Sequence, residues 1–233
     1  MSDFIVEVTQ QYEKMGSTYI AMQHQAAVVN PRFIRDWAMN HAKNQFGSFR
    51  DKVIVDAGCG SGSHCKKYAD EGAARVYGFD PSDFMLSEAK KLGLDESVVQ
   101  LSHGTFDKIP VEDGVADGLI GFFSIHYSKS LDESYKEIAR VLKSGGRLII
   151  VSPHPYHTAK YKKSQIREFE VVESWTYNGT CSMKHPHHGL SNYFSPVFFS
   201  LFHLDFVDEF HPFNEDGTEQ KDPQSLFFAA TKK

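Results

Sequence analysis

The chain has 233 residues, about one and a half times a typical ~150-residue domain, so one domain with an accessory element is expected. Hydrophobic residues make up 41% and charged residues 24%, ordinary values for a globular chain, which excludes disorder, collagen and coiled coil. Lys and Arg number 25 against 30 Asp and Glu, a net charge of −5, a balance that speaks against a polynucleotide partner, whose phosphates call for cationic surface.

No apolar run reaches the ~18 residues of a membrane span, so no membrane partner is expected. The start, Met1-Ser2-Asp3-Phe4-Ile5-Val6-Glu7, is acidic and lacks the basic region of a signal peptide. Cys59, Cys65 and Cys181 form an odd, sparse set that fits reduced thiols in a cytoplasm better than a disulfide framework.

Along the chain, Tyr12, Met15, Tyr19, Met22 and Ala26 recur at helical spacing up to a break at Asn30-Pro31. A second helix is expected from Pro31, with Phe33, Ile34, Trp37, Ala38 and His41 on one side. From Lys52 the pattern changes to short apolar runs alternating with helical segments. Strands are expected at Val53–Val55, Arg75–Phe79, Val98–Ser102, Gly118–Phe123 and Arg147–Ser152. Helices are expected at His64–Glu71, at Ser82–Leu92 behind a Ser cap, and at Leu131–Leu142, which Ser144-Gly145-Gly146 ends. This alternation predicts an α/β fold with parallel pairing and helices on both faces.

The last third reads differently. Phe169–Tyr177 and Thr180–His185 flank Asn178-Gly179, a two-residue hairpin turn that sets Glu173 opposite Lys184. Ser191–Phe202 is expected as a helix whose Phe194, Phe198 and Phe202 form a buried face. Phe206 and Phe210 continue that spacing by accident, because Leu204-Asp205 breaks the helix; Phe206–Phe210 and Leu226–Thr231 are expected as antiparallel edge strands joined through Asn214-Glu215-Asp216-Gly217.

The most informative segment is Val53-Ile54-Val55-Asp56-Ala57-Gly58-Cys59-Gly60-Ser61-Gly62-Ser63-His64. A buried strand enters a loop with glycine at alternate positions and leaves into a helix, which exposes backbone amides to a ligand. Asp80 follows at the end of the next strand, where an acid accepts both hydroxyls of a ribose. A pyrophosphate cradle wants G-x-G-x-x-G and no carboxylate just before it. Here Gly62 comes one residue early, His64 stands where an NAD site expects Gly or Ala, and Asp56 precedes the loop. A phosphate-free cofactor with a cationic amino-acid end gains from Asp56, and S-adenosylmethionine meets both conditions.

Several motifs occur in order: V-I-V-D-A-G-C-G-S-G, V-Y-G-F-D-P-S-D-F-M-L-S-E-A, I-P-V-E-D-G-V-A-D-G-L-I, S-I-H-Y and E-I-A-R-V-L-K-S-G-G-R-L-I-I-V-S-P-H-P. With them the chain, from about Tyr12 to Thr231, resembles the class I S-adenosylmethionine-dependent methyltransferases, in their small type 11 branch of small-molecule enzymes. The resemblance implies a Rossmann-like, seven-stranded, mostly parallel sheet with its last strand antiparallel. It also implies one methyltransferase domain over 1–233. That domain divides into an N-terminal helical cap at 1–45, a cofactor-binding core at 52–152, a lid hairpin at 165–190 and a C-terminal helix with antiparallel strands at 191–233.

By the same resemblance, Asp56, Gly58, Gly60 and Gly62 line the methionine end of S-adenosylmethionine, and Asp80 holds the ribose, with Pro81, Ser82 and Met85 beside the adenine edge. Thr105 and Phe106 stand where relatives often place an Asp on the adenine amine; Phe122 and Phe123 pass close to the cofactor, and Tyr12 and Tyr19 fold over it. An electron-rich ring near a sulfonium is attractive. Methyl transfer needs proximity and orientation, and a base only where the acceptor arrives protonated.

Among twelve His, His126 is the first candidate as base or acceptor orienter, with His154 and His187 also at the expected acceptor pocket. Lys184-His185-Pro186-His187-His188 is a poor metal site, because adjacent His cannot easily share one ion. The fourth strand ends in Phe-Phe-Ser-Ile-His-Tyr rather than the Asn/Asp-Pro-Pro-aromatic clamp of amino-group enzymes. The expected activity is therefore methyl transfer to a small molecule rather than a nucleic acid. The alternatives are an NAD(P)-dependent oxidoreductase and a non-catalytic cofactor-binding protein of the same fold.

Overall fold

The structure, a computed structural model, describes residues 8–16, 20, 34–160, 163–166, 169–176, 181–213 and 217–233. Tyr19, the Asn30-Pro31 break, the Asn178-Gly179 turn and Asn214-Glu215-Asp216 lie outside the described residues. After a helical stretch at 8–16, helix α1 (Ile34–Phe46) leads into β1 (Val53–Ala57), α2 (Ser63–Asp70), β2 (Arg75–Asp80), α3 (Asp83–Lys90) and β3 (Val99–His103). Then come β4 (Ala116–Phe122), α4 (Leu131–Val141) and β5 (Leu142–Pro153). The distal elements are β6 (Lys163–Ile166), β7 (Phe169–Thr176), β8 (Cys181–Pro186), β9 (Phe202–Phe210) and β10 (Ser225–Lys232).

Seven strands form one sheet in the order β3-β2-β1-β4-β5-β10-β9, and β6-β7-β8 form a second. Every pair in the large sheet is parallel except those of β10, which runs against both β5 and β9. This is the α/β architecture that the alternation of apolar runs predicts. Its two faces are both covered, and the strands show it in a period of two. Leu148, Ile150, Phe228 and Ala230 pack with Tyr135, Ile138 and Phe198 on one face. Ile149, Val151, Phe227 and Ala229 pack with Ala38, Met39, Ala42 and Tyr68 on the other. Each fully buried aliphatic or aromatic side chain contributes on the order of 1.5–3 kcal/mol.

Helix α4 illustrates the local logic. Ser130 caps it, accepting from the Glu133 amide at 3.3 Å, and Leu131, Tyr135 and Ile138 present one buried stripe. The expected helix at Ser191–Phe202 is in fact two short turns, Leu190–Tyr193 and Pro196–Leu201. Pro196 disfavours helical backbone at Ser195, and Ser195 instead caps the second turn through the Phe198 amide at 3.1 Å. Phe202 is thus a strand residue; it opens β9 yet stays buried, stacked on Phe198 at 5.5 Å. Leu204 and Asp205 lie inside that strand. The 169–185 hairpin pairs Glu173 with Lys184 as expected, and gains a third strand, β6, beside β7. Among the described residues no helix is long and apolar enough to cross a membrane.

Candidate active site

The loop between β1 and α2 leaves the sheet at the C-terminal edge, beside the switch point where the order runs β2-β1-β4. Gly58, Gly60 and Gly62 all have left-handed backbone, with φ of 73°, 52° and 78°. Two of them show different reasons for glycine. A Cβ at Gly58 would lie 2.4 Å from the Cβ of Ser124, so protein packing forbids it. A Cβ at Gly60 would meet nothing within 4 Å; there the loop has open space on its outer side, and only its φ calls for glycine.

The loop is held from three directions. The Gly58 and Cys59 amides both donate to the Phe79 carbonyl at 2.9 Å. The Gly60 amide donates to Asp80 Oδ2 at 2.9 Å. Ser124, just after β4, donates its hydroxyl to the Ala57 carbonyl at 2.5 Å.

Asp80 therefore sits at the end of β2 with one backbone N–H on each carboxylate oxygen, from Gly60 and from Ser82, both at 2.9 Å. An ionised carboxylate has about four acceptor positions, so about two remain free for a diol. Burial pushes its pKa up to about 6, against the pull of those two N–H donors. Ser82 caps α3 through the Met85 amide at 3.2 Å, with Met85 buried behind it and Pro81 half-buried.

Asp56 is buried and accepts from the Cys65 thiol at 3.1 Å. Burial is the main cause that raises its pKa to about 7, the thiol bond opposes it and the Asp80 charge adds to it. Thr105, half-buried, bridges to Lys108, and Phe106 packs edge-on against Phe79 at 5.6 Å. Phe122 lies 4.6 Å from the His64 ring, and Phe123 has left-handed backbone, φ 51°, unusual for a bulky residue.

Beyond β4 a 3-10 turn at Ile125–Tyr127 carries His126 into the interior. Its ring packs on Tyr127 at 4.1 Å and on His185 of β8 at 4.8 Å. Burial, with the neighbouring His185 and His188, holds the pKa of His126 well below the ordinary value. The helical stretch at 8–16 closes over this region. Tyr12 donates its hydroxyl to that of Tyr127 at 3.1 Å, and Gln11 accepts from the Lys184 amide at 2.9 Å. The site of a Cβ on Gly16 lies 3.7 Å from Phe84 of α3.

The structure thus brings Asp56, Gly58, Gly60, Gly62, Asp80 and Ser82 together at the first loop, and Tyr12 with His126 beside it. His154 stands apart. Its Nδ1 accepts from the Tyr156 amide at 3.1 Å, and its Nε2 lies 2.8 Å from Glu209, although the carboxylate is off the N–H axis. His187 Nδ1 lies 3.3 Å from the Thr158 hydroxyl. Sequence reasoning passed over Ser124 and His185. Ser124 has no signal beyond its place in F-F-S-I-H-Y, and His185 was weighed only as a metal ligand. Among the described residues no three His, Cys, Asp or Glu are grouped to hold a metal.

Comparison with known proteins agrees with this geometry. Residues 55–150 match a family profile described as a methyltransferase domain. A 24-methylenesterol C-methyltransferase of Arabidopsis thaliana is 32% identical over 124 residues, 52% of this chain and 34% of that protein. A demethylmenaquinone methyltransferase of Chlorobaculum tepidum is 27% identical over 161 residues, 69% of this chain and 65% of that protein. A solved structure from Listeria monocytogenes, assigned as an S-adenosylmethionine dependent methyltransferase, superposes with a TM-score of 0.69 at 26% identity, covering 83% of this chain and 97% of that one. The chain spans between a third and two thirds of the length of the two curated relatives.

Residues 55–150 thus carry a methyltransferase domain, and the fold is that of a solved S-adenosylmethionine-dependent methyltransferase. The solved relative supports S-adenosylmethionine as the cofactor. The residues present fit that group: two buried carboxylates, Asp56 and Asp80, open space at Gly60, and spare acceptor positions on Asp80.

Proposed function

We propose that the protein methylates a small-molecule acceptor, and that it works in the cytoplasm, where Cys59 and Cys65 stay reduced. The observation that carries the reading is the Asp80 carboxylate, fixed by two backbone N–H groups while two acceptor positions stay free. In this reading Asp80 takes the ribose hydroxyls. Asp56, Gly58, Gly60 and Gly62 line the amino-acid end, and Pro81, Ser82, Met85, Thr105 and Phe106 border the adenine. Phe122 and Phe123 form the floor, with Tyr12 above.

When bound, the cofactor supplies an electrophilic methyl carbon on a cationic sulfur. The chain's own residues then have three tasks. The helical stretch at 8–16 and the paired strands β7 and β8 exclude water, the aromatic rings stabilise positive charge, and the imidazole side orients the acceptor. Of the three histidines named from the sequence, His126 is the one that packs on Tyr127, itself bonded to Tyr12, and its neutral ring suits a proton acceptor.

The test is titration calorimetry with S-adenosylhomocysteine and with NAD, followed by incorporation of labelled methyl groups into a small-metabolite extract and into bulk tRNA. S-adenosylhomocysteine binding without NAD binding, and label in the small-molecule fraction, is expected. Label in tRNA alone would overturn the acceptor class, and NAD binding would overturn the reading as a whole.

A further inference from the structure

We infer that His185, on the strand β8, is an acceptor-recognition residue which acts with His126 to bind a small molecule whose reacting group carries an O–H or N–H. This rests on the methyl-transfer reading above and deepens it. Five buried side-chain nitrogen or oxygen atoms have no hydrogen-bond partner among the described residues, and two of them, His126 Nδ1 and His185 Nε2, belong to rings only 4.8 Å apart. Buried polar atoms in folded proteins are almost always paired, so two neighbouring exceptions mark a place where a ligand completes the set.

The chemistry of the missing ligand follows from the tautomer of His185. Its Nδ1 lies 2.9 Å from the Pro186 carbonyl oxygen, which can only accept. Nδ1 therefore carries the proton, and Nε2 presents a bare lone pair. Burial, with His188 and His187 nearby, lowers the pKa of His185 to about 4, so the ring stays neutral at physiological pH. A lone pair on a neutral buried ring wants a hydrogen-bond donor. His126 has no bond that fixes its proton, and so serves the same group as donor or acceptor.

His188 shows why the pair is not simply a buried polar cluster. Its Nε2 donates to the Ser128 carbonyl at 2.8 Å, so this third ring is satisfied within the protein. The location also agrees. His126 lies two positions after Ser124, which is bonded to the cofactor loop at Ala57, and Tyr127 is bonded to Tyr12 of the overlying helical stretch. The two rings thus join the turn after β4 to the hairpin strand β8.

The experiment uses the full chain, labelled with nitrogen-15 and saturated with S-adenosylhomocysteine, with phenol as a protic probe and anisole as its methylated, donor-free counterpart. Imidazole nitrogen resonances are followed by long-range NMR correlation and assigned with His185→Gln. Phenol should shift His185 Nε2 upfield from its free lone-pair position in a saturable way, anisole should not, and His185→Phe should abolish the calorimetric binding of phenol while S-adenosylhomocysteine still binds. If S-adenosylhomocysteine binds but phenol leaves the resonance in place, or anisole moves it equally, the role of His185 is overturned and the methyl-transfer reading stands. Failure of S-adenosylhomocysteine to bind overturns both. Should His185→Phe not fold, His185→Gln with its weaker acceptor must bind phenol less tightly by calorimetry, and an undiminished affinity overturns the inference.

Discussion

The hydroxyl of Tyr12 donates to the hydroxyl of Tyr127 at 3.1 Å, joining residues 115 positions apart. One partner sits on the helical stretch at 8–16 and the other on the turn that carries His126. Tyr12→Phe removes this bond and keeps the ring contact at 6.0 Å. The expected result is a loss of about 0.5–1.5 kcal/mol in the docking of that stretch, read as faster amide exchange at residues 8–16. Unchanged exchange would show that the ring contact and the Gln11 bond hold it without this hydroxyl.

Asp80 is expected to anchor the cofactor. Asp80→Ala removes the acceptor for two loop amides and for the ribose, and should weaken S-adenosylhomocysteine binding by about 1–3 kcal/mol. Calorimetry checks this, and equal affinities in variant and parent would remove Asp80 from the site.

Gly58→Ala and Gly60→Ala separate packing from ligand approach. Both force a side chain into left-handed backbone, costing about 1–2 kcal/mol. Only Gly58→Ala also drives a Cβ to 2.4 Å from Ser124, adding about 1–3 kcal/mol. Gly58→Ala should therefore lower the melting temperature more, and Ser124→Gly should partly restore it. Gly60→Ala should melt closer to the parent yet bind S-adenosylhomocysteine poorly.

The two buried carboxylates set a pH dependence. Asp56 and Asp80 titrate at about 7 and about 6 in the folded chain, above the ~4 of an unfolded carboxylate. Their protonated forms favour the fold, so their contribution is full below pH ~4 and is lost as pH rises through 6 to 7. His126 and His185 act in the opposite sense. Their lowered values make stability fall as pH drops below the ~6.5 of an unfolded imidazole. The Asp56 effect is isolated by comparison with Asp56→Asn, whose stability relative to the parent should rise between pH 4 and about 7 and level off above it in denaturant titrations. A constant difference would refute the raised value.

His126→Ala should lower turnover, by about 10²-fold if it acts as a base, while the affinity for S-adenosylhomocysteine is largely kept. Equal losses in both would make it a structural residue.

Much of this arrangement is legible in the chain. The β1 strand and its glycine loop, Asp80 and the Glu173–Lys184 register are local signals, because alternation, turn chemistry and strand length act over a few residues. The helix at Ser191–Phe202 misled because its phenylalanines keep a period of four across a proline restart, and Phe202 buries the same face from a strand. Ser124 and His185 were not legible for a different reason. Their significance is a meeting in space, with Ala57 and with His126, between segments 67 and 59 residues apart, as 124 − 57 and 185 − 126 give.

Strand β10 lies between β5 and β9, and supplies Phe227 to one face of the sheet and Phe228 to the other. It follows both its partners in the chain. On the ribosome, β5 and β9 must therefore wait, with bare hydrogen-bonding edges, until residues 225–232 emerge. During that interval the nascent chain offers two sticky borders to any other strand, which makes it a natural client for chaperones that bind during translation.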